Sequence, residues 1–468
     1  MNRLALCFAA LMLMLSALYP QAATAQGASR VTTIRDAETE SLLRAFADPL
    51  FRAAGVSPSA VRITLIQDAA INAFVATGNR MFIHTGLIQK AEGAEELLGV
   101  LAHETGHIAG GHLARLPEEM RLAMLRSVAA MLLGGAAAAG GGVDAGMAIA
   151  LGGTQMAQSS LYAFTRQQEQ AADQAGVSYL ERNGWSPRGL SVLLQRLLDQ
   201  ELLAVGRQDP YFRTHPLSRD RLGYVQEELA RSPTKDAGIP PEWHRRYAMV
   251  RAKLDGFLAR PAVTRRRYPA SDTSAPARYA RAIADFRAGR IDPAVAALDQ
   301  LIAEEPRSPW LQEMKGQVLF EGGRPVQALE PYRAAVRMAP GEPLIRLSMA
   351  RVMIETGDPL LLRPAVAELE SALATERDNA FAWRQLGIAY GRQGMMPQAD
   401  LALAEEALLE GDYPQVRWLA SRAEAALPPG PTRLRAQDLR NAARRDNMTR
   451  DERDADDAAR RRQGIPRR

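Results

Sequence analysis

Residues 97–112 read Leu97-Leu98-Gly99-Val100-Leu101-Ala102-His103-Glu104-Thr105-Gly106-His107-Ile108-Ala109-Gly110-Gly111-His112. Apolar residues recur at helical period, and His103 and His107 stand four apart, so a helix carries both on one face, one turn from each other. Two imidazole nitrogens so placed can hold one metal ion, and Glu104 beside them can take a proton from an attacking water. Three fixed positions recur by chance in many helices, so the flanks decide the reading. Leu97, Leu98, Val100, Leu101, Ala102 and Ile108 predict a buried helix, where imidazoles and a carboxylate are costly without partners. A zinc ion supplies those partners, and the expected chemistry is peptide-bond hydrolysis by an activated water.

A catalytic zinc takes three protein ligands and keeps one position open. His112 follows His107 by five residues, whereas the extended motif with a third His needs six, a position held here by Leu113. We therefore assign His112 a polar contact at the helix end. Glu169, in Arg166-Gln167-Gln168-Glu169-Gln170-Ala171-Ala172-Asp173, is the better third ligand. Asp173 lies four residues on, on the same helical face, and can hold the N–H of a ligating imidazole. His215 precedes Pro216 in Arg213-Thr214-His215-Pro216-Leu217. Proline biases the residue before it to extended geometry, so His215 belongs to a loop. There it could stabilise a tetrahedral oxyanion, fill the open zinc position at rest, or be structural. His84 and His244 carry no supporting pattern and are read as structural.

Taken in order, His103-Glu104-x-x-His107, Glu169 with Asp173, and His215-Pro216 with Arg221 resemble metallopeptidase family forty-eight. Upstream, Ile71 to Asn79 and Met81 to Ile88 resemble the family's strand pair before the active helix. The family often has a second glycine at that hairpin; Asn79 stands there instead and tolerates left-handed geometry. The resemblance covers residues 31–260. It implies an α+β zincin-like metalloprotease domain with a small β-sheet and one Zn2+ held by His103, His107 and Glu169. By the same resemblance Glu104 and His215 act in catalysis, supported by Asp173 and Arg221.

At the N-terminus, Arg3 precedes an apolar run from Leu4 to Leu18 and a small-x-small site at Ala23-Thr24-Ala25. This pattern predicts a cleavable signal peptide over residues 1–25. The run is shorter than the ~20 residues a spanning helix needs. Cys7, the one cysteine, falls inside it, and an exported chain without disulfides suits a bacterial periplasm. Residues 128–153 are apolar but glycine-rich, and Asp144 interrupts them. They are expected to form two short Ala/Gly helices near the active site, with bilayer contact as the alternative. Lying between the zinc helix and Glu169, they could gate access.

Residues 261–276 read as a linker, after which Ala, Leu, Arg and Glu recur at helical period. Trp383, Leu386, Gly387, Tyr390, Ala399 and Leu403 match the tetratricopeptide pattern, and Gly316, Leu319, Ala328, Tyr332, Ala335 and Pro340 repeat it. A looser copy with Ala350, Ala365 and Ala372 needs about three extra residues near Asp358–Arg363. The expected fold is thus mainly α, with an α-solenoid over residues 277–440. Residues 441–468 are Arg/Asp-rich and are expected to be a disordered or frayed tail. Stacked repeats offer a concave surface for an extended peptide or partner protein.

The net charge of +5 mildly favours acidic partners or an anionic membrane surface. Basic residues are interspersed with acids, which argues against nucleic acid. Signal peptide, protease and repeat array in this order resemble periplasmic family members of outer-membrane quality control. That resemblance implies misfolded or misassembled outer-membrane proteins as substrates and the barrel assembly machinery as a partner in the repeat groove, while the charge and the Gly/Ala segment leave peripheral membrane contact as an expectation. The alternative is a chaperone or scaffold for outer-membrane assembly whose peptidase site is normally closed.

Overall fold

The motif run forms the helix the apolar spacing requires, Ala94–Ala109, and its residues from Leu97 to His107 are buried. A computed structural model of the chain describes residues 32–139, 143–200, 211, 215 and 219–462. The signal peptide expected at residues 1–25, with Cys7, lies outside the described residues, as does Pro216. A four-stranded sheet lies before the motif helix, with strands β1 (Thr33–Ile34), β2 (Arg62–Ile66), β3 (Ala73–Ala76) and β4 (Arg80–His84) in the order β1-β2-β4-β3. β2 and β4 run parallel and the outer pairs antiparallel, so β1 and β3 are edges. The turn from β3 to β4 has Gly78 at φ 80° and Asn79 at φ 53°, the left-handed geometry expected of that asparagine.

Helix α1 (Ala37–Ala53) is capped by Asp36, whose side chain accepts from the Thr39 N–H at 2.9 Å. After α2 (Thr85–Lys90) comes the motif helix α3 (Ala94–Ala109), followed by α4 (His112–Ala139), α5 (Val143–Arg182), α6 (Arg188–Gln200) and α7 (Arg219–Arg231). Leu42, Phe46, Met81, Ile83, Leu97, Leu101 and Leu190 meet in one core between sheet and helices. The two short Ala/Gly helices expected over 128–153 are instead parts of two long ones, α4 of 28 residues and α5 of 40. Asp144 is the single charge in this stretch, and each helix continues through polar sequence to a root at the motif helix.

Helix α8 (Pro241–Leu258) then serves two cores. Tyr247, Val250 and Leu254 face the first, while Met249 packs with Tyr279 and Leu298 of the repeats. Part of the expected linker is helical, α9 (Pro261–Arg267), tied down where Arg267 and Tyr268 bind the buried Asp255. The repeats are five helix pairs: α10 (Ala275–Arg287) with α11 (Ile291–Glu304), α12 (Pro309–Glu321) with α13 (Pro325–Met338), α14 (Pro343–Glu355) with α15 (Pro359–Leu373), α16 (Ala380–Arg392) with α17 (Met396–Leu409), and α18 (Tyr413–Ala426) with α19 (Pro431–Ala442). At Gly316 an added Cβ would lie 2.7 Å from the Tyr332 ring, which explains the small residue of the repeat pattern. The extra residues of the third repeat do not cluster at 358–363; they lengthen α15 to 15 residues and extend the loop after it, 374–379.

The tail is also more ordered than its composition suggests. Residues 450–462 form helix α20 (Arg450–Arg462), which docks on α18. Its Asp456 is fully buried and is held by Arg417, Arg445 and Arg460, so charge pairing replaces the missing apolar residues. Between the protease helices and the repeats lies a second buried ionic cluster. Lys253 Nζ stands 2.6 Å from Asp36 and 3.4 Å from both Glu38 and Glu313, and the Tyr279 hydroxyl donates to Glu38 at 3.0 Å. Arg35 with Glu376 and Arg62 with Asp378 add ion pairs across the same junction.

Candidate active site

Helix α3 presents His103 and His107 on one face, with Nε2 atoms 3.1 Å apart. Helix α5 crosses them closely because Gly106 and Gly176 face the contact: a Cβ at Gly106 would lie 2.8 Å from the Ala172 carbonyl oxygen. That approach brings Glu169 to 3.4 Å from the Nε2 atoms of both histidines. His215 adds a fourth donor, its Nδ1 3.2 Å from both Glu169 carboxylate oxygens and 3.3 Å from His103 Nε2. Ligand atoms of His103, His107, Glu169 and His215 all lie within 4.8 Å of one another, and all four residues are buried.

This donor set fits a zinc ion. Ligands at ~2.0–2.1 Å from a tetrahedral ion stand about 3.3 Å apart, the separation found between these atoms. The lone pairs converge because the other ring nitrogens are occupied. His103 Nδ1–H donates to Asp173 at 2.8 Å, and His107 Nδ1 faces His112 Nδ1 at 3.0 Å. Burial and the adjacent His107 push His112 down to about 4, so it stays neutral and can accept the His107 proton. The surroundings favour positive charge at the centre. Burial opposes a charged His103, yet the carboxylates of Asp173 and Glu169 outweigh it and push its pKa up to about 10. Glu169 is held well below the usual carboxylate range, its burial outweighed by His215, His103 and His107. Arg221, 1% exposed, clamps both acids: it donates to Asp173 at 2.7 and 3.0 Å, and its Nη1 stands 2.8 Å from Glu169.

Glu104 projects beside the four donors. Tyr211 O–H donates to its Oε1 at 3.2 Å, and His215 Nε2 is 3.5 Å from the same oxygen. Its other oxygen, Oε2, is buried without a hydrogen-bond partner. Every residue singled out in the sequence for this site therefore converges here. His84 and His244 lie outside it, paired to Asp68 and Glu95. One neighbour, Tyr211, escaped the sequence reading. Tyr211 is four residues before His215, and its ring centroid is 4.4 Å from the histidine's, a pairing that spacing alone suggests only once His215 is placed. His112 supports His107 instead of ligating, consistent with its missed register. Beside the site a cleft of about 160 Å³ runs between the β3–β4 turn (Gly78, Asn79) and His107, Gly111 and Leu113.

A buried His-Glu-x-x-His helix over a small sheet, closed by a glutamate from a second helix, defines a metalloendopeptidase. Residues 35–229 match the family model of peptidase family M48 and residues 279–343 that of a tetratricopeptide repeat. It is 26% identical over 393 residues to the beta-barrel assembly-enhancing protease of Escherichia coli (strain K12), covering 80% of this chain and 77% of that protein. Similarity to the protein of the same name from Yersinia pestis is 26% over 374 residues, covering 78% of this chain and 75% of that one. The chain is also 26% identical over 182 residues to the mitochondrial metalloendopeptidase OMA1 of Schizosaccharomyces pombe, 39% of this chain and 50% of that one. M48 peptidases are zinc-dependent, and the four-residue cluster can hold such an ion.

Proposed function

We propose that the chain is a periplasmic zinc endopeptidase that degrades misfolded or stalled outer-membrane proteins and assists their assembly. Glu104 Oε2 carries the hydrolytic part: a buried carboxylate oxygen, unpartnered beside three metal-ligating side chains, is placed to take a proton. Zinc held by His103, His107 and Glu169 would supply Lewis acidity to the attacking water and the scissile carbonyl. Glu104 accepts the water's proton at Oε2 and returns it to the leaving amine, while Tyr211 keeps Oε1 in place. Asp173 and His112 hold the Nδ1 sides of the ligating imidazoles. Substrate lies extended along β3, whose outer edge is unpaired in the sheet and borders the cleft. The signal-peptide pattern and the names of the relatives support the compartment and the clients, and the repeat array offers the surface for the assembly machinery.

One observation favours a second reading, a chaperone or scaffold with a closed, regulated site. The His215 ligand atom lies with the other three, where the open coordination position would be. Metal content and casein hydrolysis of the purified mature chain, with Glu104→Gln as control, separate the two. One zinc per chain with chelator-sensitive cleavage, absent from the variant, supports the peptidase. Zinc without cleavage supports the closed scaffold, and a chain without zinc sinks the ligand assignment.

A further inference from the structure

More than half of the large hydrophobic side chains exposed among the described residues sit on two helices, α4 and α5. Leu125, Met131, Leu132 and Leu133 on α4 and Leu151 and Met156 on α5 are all at least half exposed, Leu132 at 70% and Met156 at 71%. The two helices pack along each other, and these side chains stay open to solvent on the outside of the pair. Between Arg126 and Arg166 the sequence holds a single charge, Asp144. Clusters of exposed large apolar side chains of this kind mark an interaction site.

At the root of the pair the composition reverses. Arg115, Arg121, Arg126 and Arg166 are exposed there, against two glutamates, Glu118 and Glu119. Among the described residues, Arg121 pairs with Glu118 at 2.7 Å, and the other three show no carboxylate partner there. An apolar end with a collar in which arginines outnumber acids matches the acyl chains and anionic headgroups of one lipid leaflet. Length supports the same partner. The charge-free part of α4, Ser127 to Ala139, is about 20 Å long, short of the ~30 Å hydrocarbon core. No described helix is long and apolar enough to cross a membrane. A second copy laid side by side on this face would bring the two sets of arginines together, whereas lipid phosphates neutralise them.

We infer that α4 and α5 form an arm that inserts into the surface leaflet of an anionic phospholipid membrane. Both helices are rooted in the metal site: α4 begins at His112, against His107, and α5 carries Glu169 and Asp173. Insertion up to Ser127 holds the site roughly 22 Å from the headgroups along α4, within reach of an extended chain lying at the membrane surface.

Flotation of the mature full-length chain with phosphatidylethanolamine–phosphatidylglycerol vesicles tests this, with phosphatidylcholine vesicles for comparison. A triple variant, Leu132→Glu, Leu133→Glu and Leu151→Glu, changes exposed positions only, so circular dichroism and casein cleavage in solution should match wild type. Wild type should float with the anionic vesicles, and the triple variant should bind at least about tenfold more weakly. Glu104→Gln should float like wild type, which keeps this result separate from the peptidase reading. Wild type that stays at the bottom, or a triple variant that floats equally, overturns the arm. Without flotation, a dimer or a complex with unfolded casein that the triple variant loses would assign the face to a second copy or to a client instead.

Discussion

Under the proposed function Glu104, Asp173 and His215 divide the work of the site, and each makes its own prediction. Replacing Glu104 by Gln keeps shape and burial but removes the proton acceptor. Casein hydrolysis should fall about 10²–10⁴-fold with zinc content unchanged; loss of zinc together with activity would mean that Glu104 is structural. Asp173 holds His103 Nδ1 from behind and is itself clamped by Arg221. Asp173→Asn should weaken zinc affinity by roughly 10–100-fold, measured by competition with a chromophoric chelator. Unaltered affinity would leave Asp173 as packing. For His215, with its Nδ1 3.2 Å from Glu169, replacement by Ala should open the fourth position and raise cleavage several-fold in a protein of unchanged melting temperature. Slower cleavage would assign His215 to the oxyanion instead, and an unchanged rate would remove it from the mechanism.

Among the elements, the crossing of α3 and α5 decides whether a site exists. Two of the proposed ligands ride on one helix and the third on another, so the distance between the two axes sets the distance between them. Gly106 sets it, because any larger residue meets the Ala172 backbone, which cannot swing aside like a side chain. Alanine at 106 gains up to ~1 kcal/mol in helix propensity, but overpacking costs about 1–3 kcal/mol. The net expectation for Gly106→Ala is a lower melting temperature and reduced zinc occupancy. Full occupancy at wild-type stability would show that α5 can shift without loss. The motif specifies only His, Glu and His, so its two free positions looked interchangeable in the sequence. Only the crossing helix reveals that the second of them has to be small.

Across the whole molecule, the protease and the repeats meet over buried charge. Burial, opposed by Lys253 and reinforced by Asp36 and Glu313, pushes Glu38 up to about 7 from its ordinary 4.5. The folded chain therefore holds this proton more tightly than the unfolded one. The stabilisation is complete below pH 4.5 and fades as pH rises through about 7. At full ionisation the loss is on the order of 3 kcal/mol. Glu38→Gln cannot ionise, so it should flatten the decline in melting temperature between about pH 5 and pH 8. A variant with the wild-type slope would place the titration elsewhere. Arg221 and Asp456 follow the same rule of buried charge kept only with partners.

By itself the sequence determined the local elements and their periods: the His-Glu-x-x-His helix, the Asn79 turn, the carboxylates of Glu169 and Asp173 on one helical face, and the tetratricopeptide pairs. Each is written in neighbouring residues, where spacing converts directly into a shared face. Tertiary structure decided what depends on residues far apart. It set the crossing that gathers Glu169 and His215 around His103, the Tyr211 bond to Glu104, and the order of a tail whose charges look solvated until Arg417 meets Asp456. It also turned the Gly/Ala run into two long helices with an exposed apolar face. Composition alone could not settle that, because an apolar run reads alike whether it is buried or exposed, and only the packing of the rest of the chain shows which.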